Sequence, residues 1–342
     1  MEMKRLKNVL FGLVALMSVL IIVLGGYFYL DSPPKHPLIK EKVKFIVNKG
    51  DSLKIVARKL KNQNLIKSYK FFVFIAKISR VSTGIKSGEY LIREGLKASE
   101  ILKMLSEGEV VTVRITVPEG FTVMQIANML ESKGIVNKID FINATKNEEI
   151  LKKYGIPFSS AEGFLFPDTY IISKDLNANQ IVEIMIKRFF EELNKLTNNK
   201  PLNRDELKKV IIIASLVEKE AKKDDERSII AAVFYNRLKM GKRLQSCATV
   251  QYVLGKAKER LLYRDLKVKS PYNTYLHKGL PPGPISNPGS KSLWAAIHPA
   301  NVGYLYFVSK HDGSHYFSKT YSEHLKAIKM YRNYNKIGVQ SN

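Results

Sequence analysis

Residues 205–238, DELKKVIIIASLVEKEAKKDDERSIIAAVFYNRL, hold the densest structural signal in the chain. Apolar residues recur at helical spacing on both sides of a charged run, so the stretch reads as two consecutive helices. The first is expected from Asp205, its cap, to about Lys222; the second, capped by Asp224 or Asp225, from about Ser228 to Met240. At about 100° per residue, Glu220 shares a face with Ile213, Leu216 and Val217, the centre of the apolar stripe, while Glu218 falls opposite, near Ser215. A carboxyl group on an apolar face is costly to ionise and keeps its proton to higher pH, as a general acid must. The competing reading is a frayed helix end that leaves Glu220 in water.

Two loops lie downstream. Residues 241–255, GKRLQSCATVQYVLG, place Gln245, Ser246 and Thr249 on a polar loop that enters a further helix. Residues 270–289, SPYNTYLHKGLPPGPISNPG, form a long Pro/Gly-rich segment with Tyr272, Asn273 and Tyr275 near its start. Loops of that length in a compact domain are usually functional, and Tyr and Asn offer the stacking face and amide that carbohydrate recognition uses. Upstream, helices are expected at 98–106, 123–133 and 140–147, and a strand where 110–122, VVTVRITVPEGFT, alternates before Pro118-Glu119-Gly120. Residues 161–172, AEGFLFPDTYII, read as a structured loop. Further upstream comes an alternating strand at 43–47, a Lys49-Gly50-Asp51 turn, a helix through Leu53, Val56, Ala57 and Leu60, a helix at 69–78 and a returning strand in SGEYLIREG. Asp51 or Ser52 caps the first of those helices.

Residues 8–30, NVLFGLVALMSVLIIVLGGYFYL, carry no charged side chain, and a helix of that length spans a bilayer. A cleaved signal peptide would have a shorter apolar core and end in small residues; this run ends in Tyr27, Phe28, Tyr29 and Leu30, which suit a membrane interface. Lys4, Arg5 and Lys7 precede it, so the N-terminus is expected in the cytoplasm and the rest across the membrane; Lys35, Lys40, Lys42 and Lys44 after it argue the other way. The expected architecture is α+β: a cytoplasmic N-terminus at 1–7, one transmembrane helix at 8–30, a linker at 31–42 with Pro33, Pro34 and Pro37, a small βααβ module at 43–110, and a larger α+β domain at 111–342.

Composition bounds the function. The 342 residues carry 56 Lys and Arg against 31 Asp and Glu, a net charge of +25. At roughly 150 residues per domain the length suits about two folded units. An apolar fraction of 45% excludes wholesale disorder and a polytopic membrane protein. The single cysteine, Cys247, excludes a disulfide-stapled fold and any zinc site built from several thiolates. The charge fits a nucleic acid, an anionic membrane surface or an anionic polymer, or simply a lysine-rich proteome. Placement across a membrane, with no basic recognition helix and no zinc-finger pattern, argues against nucleic acid. His311 and His315 flank an Asp312-Gly313 turn and read as loop residues, not metal ligands, so no metal or cofactor is expected. Trp294 and the HPA segment at 298–300 read as core and turn.

The strand-turn-helix unit with Val47, Gly50, Asp51, Ser52 and Leu53 resembles the LysM peptidoglycan-binding module; a generic unit of that shape is the alternative. More broadly, VPEG at 117–120, EGFLFPDTY at 162–170, ASLVEKE at 214–220, FYNRL at 234–238, RLQS at 243–246, YNTY at 272–275, GLPPGPI at 279–285, and HPA followed by YLYFV at 298–308 resemble the endolytic murein transglycosylases of the MltG or YceG-like family. The resemblance spans essentially the whole chain.

It implies a membrane-anchored enzyme of the bacterial cell membrane, its catalytic domain periplasmic or extracellular, that cuts peptidoglycan glycan strands. It implies the second glutamate of E-K-E, Glu220, as catalytic residue. Some members carry Asp-Pro at Cys247-Ala248, so Cys247 is assigned no catalytic role and is expected to be small and buried. Cleft residues are expected at Glu162, Gln245, Ser246, Tyr272, Asn273 and Tyr275. Asn236 and Arg237 are expected to buttress the Glu220 helix, and Glu218 is either a supporting partner or, preferred, a solvated surface charge. Peptidoglycan synthases are the class of protein partner the resemblance admits. The rival readings are a muramidase with Glu162 or Glu218 as second carboxylate, and a wall-binding anchor without catalysis.

Overall fold

The computed structural model describes residues 2–34, 41–79, 81, 84–174, 176–255 and 261–337. Pro37, Lys35 and Lys40 of the expected linker lie outside the described residues. The chain divides into two compact units, Met1–Val113 with Ile171–Asp175, and Arg114–Tyr170 with Leu176–Asn342.

The first unit opens with helix α1, Glu2–Asp31, whose segment Leu6–Asp31 is long and apolar enough to cross a membrane and is exposed from Leu6 to Tyr29. Its end is tied down. Asp31 accepts hydrogen bonds from the Ser99 amide (2.8 Å) and hydroxyl (2.9 Å), capping helix α4, Ala98–Glu107. The Lys67 ammonium sits 4.0 Å from the Tyr29 ring centre and donates to its carbonyl. Strands β1, Lys42–Val47, and β2, Gly88–Arg93, pair antiparallel with Phe45 opposite Tyr90, and helices α2, Leu53–Asn62, and α3, Tyr69–Ile78, follow β1 in sequence. Alternation sends Phe45, Val47, Tyr90 and Ile92 inward, where they meet Val56, Leu60 and Phe72 in one core. Ser52, rather than Asp51, caps α2; Asp51 instead closes the turn through the Asn48 amide and Lys59.

The second unit is mostly helical. Helices α5, Val123–Ser132, α6, Lys138–Ala144, and α7, Glu148–Lys153, precede strand β4, Thr169–Ser173, which pairs with β3, Thr112–Thr116; Thr112, Val113 and Ile171–Ser173 of these strands belong to the first unit. Residues 161–172 are therefore only partly the loop expected of them. Tyr170 and Ile172 are buried and alternate with exposed neighbours, a period the surrounding aromatics and Pro167 obscure in the sequence. Helix α8, Ala178–Leu196, and helix α9, Arg204–Glu220, form the centre with α10, Arg227–Lys239, and α12, Ser290–Ile297. A hairpin of β5, Tyr306–Ser309, and β6, His315–Ser318, packs on the last helix, α13, Tyr321–Ile337.

Two capping expectations are corrected. Helix α9 begins at an Asn203 cap with Glu206 returning to the Asn203 amide, a reciprocal box that outcompetes Asp205 because both orphan amides are satisfied at once. Helix α10 has no side-chain cap. A 3-10 turn at Asp224–Glu226 leads into it, Asp224 pairs with Arg227, and Glu226 accepts from the His315 amide (2.9 Å) and faces its Nδ1 at 2.7 Å. His315 is thus a buried strand residue and not a loop residue. Trp294 is also misplaced by the sequence: it is 48% exposed, with His298 stacked on it at 3.8 Å between ring centres.

Candidate active site

Helix α9 is buried from Val210 to Val217 on every side because α10, α11 (Cys247–Leu254) and α12 pack around it. Ser215 serves this burial: its hydroxyl donates to the Ile212 carbonyl and accepts the Ile285 amide, fastening the end of the Pro/Gly-rich loop to the helix. Glu220 is the last residue of α9, where the helix emerges from its packing.

The carboxylate of Glu220 meets the start of α11. Oε1 accepts from the Ser246 hydroxyl at 2.5 Å, and the Ala248 amide also donates to the carboxylate. Burial pushes the Glu220 carboxyl above the usual range; Ser246, the Ala248 amide and the nearby His315 oppose it. The result is a largely enclosed acid whose ionised form still has two donors waiting. Such a group can give up a proton and take one back without reorganising its surroundings.

Ser246 is held from behind. Its amide donates to the Thr274 hydroxyl (3.0 Å), and its carbonyl accepts from the Thr249 hydroxyl (2.8 Å). The preceding Gln245 adopts φ +52°, a left-handed conformation rare outside glycine. Its amide bonds to the Thr274 carbonyl and its side-chain oxygen accepts from Arg237, which also donates to the Leu244 carbonyl at 2.7 Å. Arg237 is thus a clamp on the 244–246 loop. Asn236 donates to the carbonyls of Val302 and Tyr304. Both side chains were expected to buttress the Glu220 helix, but their hydrogen bonds go to the loop and to the C-terminal segment instead.

The remaining expected residues separate into two groups. Tyr275 lies by Glu220, its hydroxyl 3.0 Å from the Cys247 sulfur. Cys247 is exposed, contrary to expectation, because position 1 of α11 faces away from the helix packing. Tyr272 is half-buried, 5.2 Å ring to ring from Tyr252. Asn273, by contrast, is fully buried: its amide donates to the carbonyls of Leu266 and Val268 and its oxygen accepts the Tyr275 amide. It shapes the loop from inside.

Glu162 is also internal. It accepts from the Val123 amide at the start of α5 and from the Asn287 amide, with Tyr252 at 3.4 Å. Burial pushes its carboxyl up to about 8 against those donors. Asn287 in turn bonds to Phe121 and Leu165, so three loops meet at this pair. Glu218 is no solvated charge: its side chain is 6% exposed and accepts from the Gly289 amide (3.0 Å) and from Arg227 (3.4 Å). The wheel placed it correctly opposite Glu220 but could not show that α12 covers that side. Thr274, Tyr252 and Asn287 are the supporting residues the sequence did not single out; polar side chains inside the SPYNTY and PISNPG stretches were the available signal for Thr274 and Asn287.

Among the described residues no group of three His, Cys, Asp or Glu side chains could hold a metal ion.

Fold and site together describe a mixed helix-and-strand protein with an enclosed carboxyl group, Glu220, at the edge of a polar loop cluster. The YceG-like family model matches residues 45–330, and the chain belongs to that family. An endolytic murein transglycosylase of Bacillus subtilis is 36% identical over 332 residues, covering 91% of each chain. One from Streptococcus pneumoniae is 29% identical over 337 residues, 88% of this chain and 61% of that longer relative. The crystal structure of a yceG-like protein from Listeria monocytogenes matches with a TM-score of 0.56 at 34% identity, covering 84% of this chain and 100% of that one.

Proposed function

We propose that the protein is a peptidoglycan lytic transglycosylase in which Glu220 is the sole acid–base group. The observation that carries this reading is the Glu220 carboxyl: enclosed enough to hold a proton, and provided with the Ser246 hydroxyl and the Ala248 amide for its ionised form. Protonated Glu220 donates to the oxygen that links N-acetylmuramic acid to N-acetylglucosamine as the bond from C1 to that oxygen breaks. The substrate's own acetamido oxygen supports the positive charge at C1. The carboxylate then removes the proton from the muramic C6 hydroxyl, whose oxygen closes on C1 to give a 1,6-anhydro end. Glu220 ends protonated, and no water is consumed.

In this reading Tyr275, Tyr272 and the exposed Gln245 line the strand's path, while Ser246 and Arg237 position the acid's partners. Glu162 and Asn273 act through the loops they hold. Helix α1 anchors the chain in the cell membrane with Lys4, Arg5 and Lys7 on the cytoplasmic side. The β1-α2-α3-β2 unit within 43–110 binds glycan in the manner of a LysM module, and 111–342 is the catalytic domain.

The test is product analysis by mass spectrometry on purified murein. Wild type is expected to release anhydro-ended fragments, and Glu220→Gln to lower the rate by about 10²–10⁴-fold while melting normally. Release at the wild-type rate by Glu220→Gln rejects the assignment; reducing ends in place of anhydro ends indicate a muramidase.

A further inference from the structure

A cavity so far unassigned lies in the second unit, at the end of α9 remote from Glu220. It has a volume of about 730 Å³, inside the range of ordinary ligand sites. Its floor is apolar and aromatic, with Phe158, Phe190 and Leu207; its rim carries Lys146, Lys152 and Arg204, all exposed. Glu148 is the one acid in its lining among the described residues. A fourth cation, Lys208, stands 6.0 Å from the centre of the Phe158 ring. A rigid apolar floor under a cationic rim fits a ligand with a compact organic body and carboxylate groups.

The cavity is joined to the loop that runs past Glu220. Phe158 forms one wall, and a Cβ placed on Gly283 would stand 3.6 Å from that ring and 3.0 Å from the Tyr272 hydroxyl. Gly283 is therefore a point of close approach where the cavity wall meets the 272–283 loop. Arg204 is the first residue of α9 and Glu220 the last, so the helix spaces the two sites by about 24 Å, at about 1.5 Å per residue. That is a span of several sugar rings. No single sugar ring can fill both places, and a side branch seated in the cavity fits a sugar further along the strand.

We propose that this cavity binds the carboxylate-bearing peptide stem of a sugar remote from the bond being cut, so that α9 sets the distance between a stem and the cut. The proposal rests on the transglycosylase reading for its ligand, and on the cavity's charge and walls for its chemistry.

The test uses the full chain in detergent. In the Glu220→Gln background, binding is compared for stem-bearing glycan chains and for chains stripped of peptide, with and without the triple change K146Q, K152Q and R204Q. The parent should prefer stem-bearing chains by about five- to thirtyfold, the scale of two or three partly exposed charge pairs. The triple variant should lose that preference, keep its affinity for stripped chains and melt normally. With Glu220 intact, the triple variant should cut stripped chains at the wild-type rate but scatter its cut positions on stem-bearing ones. A parent without preference, or a triple variant that keeps it, overturns the proposal. So does loss of binding confined to a glycerol-phosphate polymer, which would make this a phosphate site. Should Glu220→Gln still cut, the catalytic reading fails, and the triple variant's cut positions still decide the cavity.

Discussion

Burial keeps the proton on Glu220, and Ser246 opposes it. Its hydroxyl stabilises the carboxylate, so removing it raises the pH at which Glu220 ionises. Ser246→Ala is expected to move the alkaline limb of the pH profile of kcat/KM upward and to lower the plateau, since the carboxylate formed after proton donation loses a partner. Kinetics across pH on soluble glycan fragments check both effects. Glu162 has the opposite visibility, in stability and not rate. Its carboxyl is raised to about 8 in the folded protein against an ordinary 4.5, so between those values the folded state binds more protons than the unfolded chain. That makes its contribution fall as pH rises from about 4.5 to about 8. Thermal melts should show a negative slope of Tm with pH in that window, flattened in Glu162→Gln. Glu220 was legible because a helical wheel needs only local periodicity. The exposed and buried members of the YNTY loop were not, because an irregular segment has no period to read.

At the level of elements, two loops are packed so tightly against α9 that single atoms matter. Gly163 has φ +86°, and an added Cβ would lie 2.5 Å from Pro284 Cγ and 2.8 Å from Ile211 Cγ2. Gly163→Ala therefore meets both backbone strain of about 1–3 kcal/mol and a clash with two stiff neighbours, and should destabilise by more than the backbone cost alone. Denaturant unfolding measures it. On the other side of α9, the buried Glu218–Arg227 pair joins the helix to the starts of α10 and α12. Glu218→Ala leaves Arg227 with Asp224 and the Ser292 hydroxyl but leaves the Gly289 amide without its acceptor, at an expected cost of about 1–3 kcal/mol, read from the same experiment. Helices α2 to α6 and α9 to α11 were visible from their spacing, whereas α7, α8, α12 and α13 were not anticipated and the caps expected for α9 and α10 were wrong. Strand β4 was not, because strand pairing depends on a partner far away in sequence.

For the whole molecule, the net charge of +25 takes its meaning from α1. In the proposed reading, with α1 in a membrane, the polyanions within reach are lipid headgroups and wall polymers, and salt weakens attraction to either. Removing residues 2–30 should move the protein from the membrane fraction to the soluble fraction, and the full chain should resist extraction by high salt and yield only to detergent. Sedimentation after each wash distinguishes an apolar anchor from a purely electrostatic one.

The sequence alone determined the apolar first helix, the order of most helices and the two strands of the first unit, and it singled out Glu220. All of these rest on periodicity and capping within a few residues. Only the tertiary structure decided which polar side chains are buried: Glu218 under α12, Asn273 inside its loop, and Glu162 at the meeting of three segments. Burial of a charge depends on what another part of the chain brings to it: Gly289, 71 residues on, for Glu218 and Asn287, 125 residues on, for Glu162, while Asn273 is enclosed by an irregular loop that has no period to read.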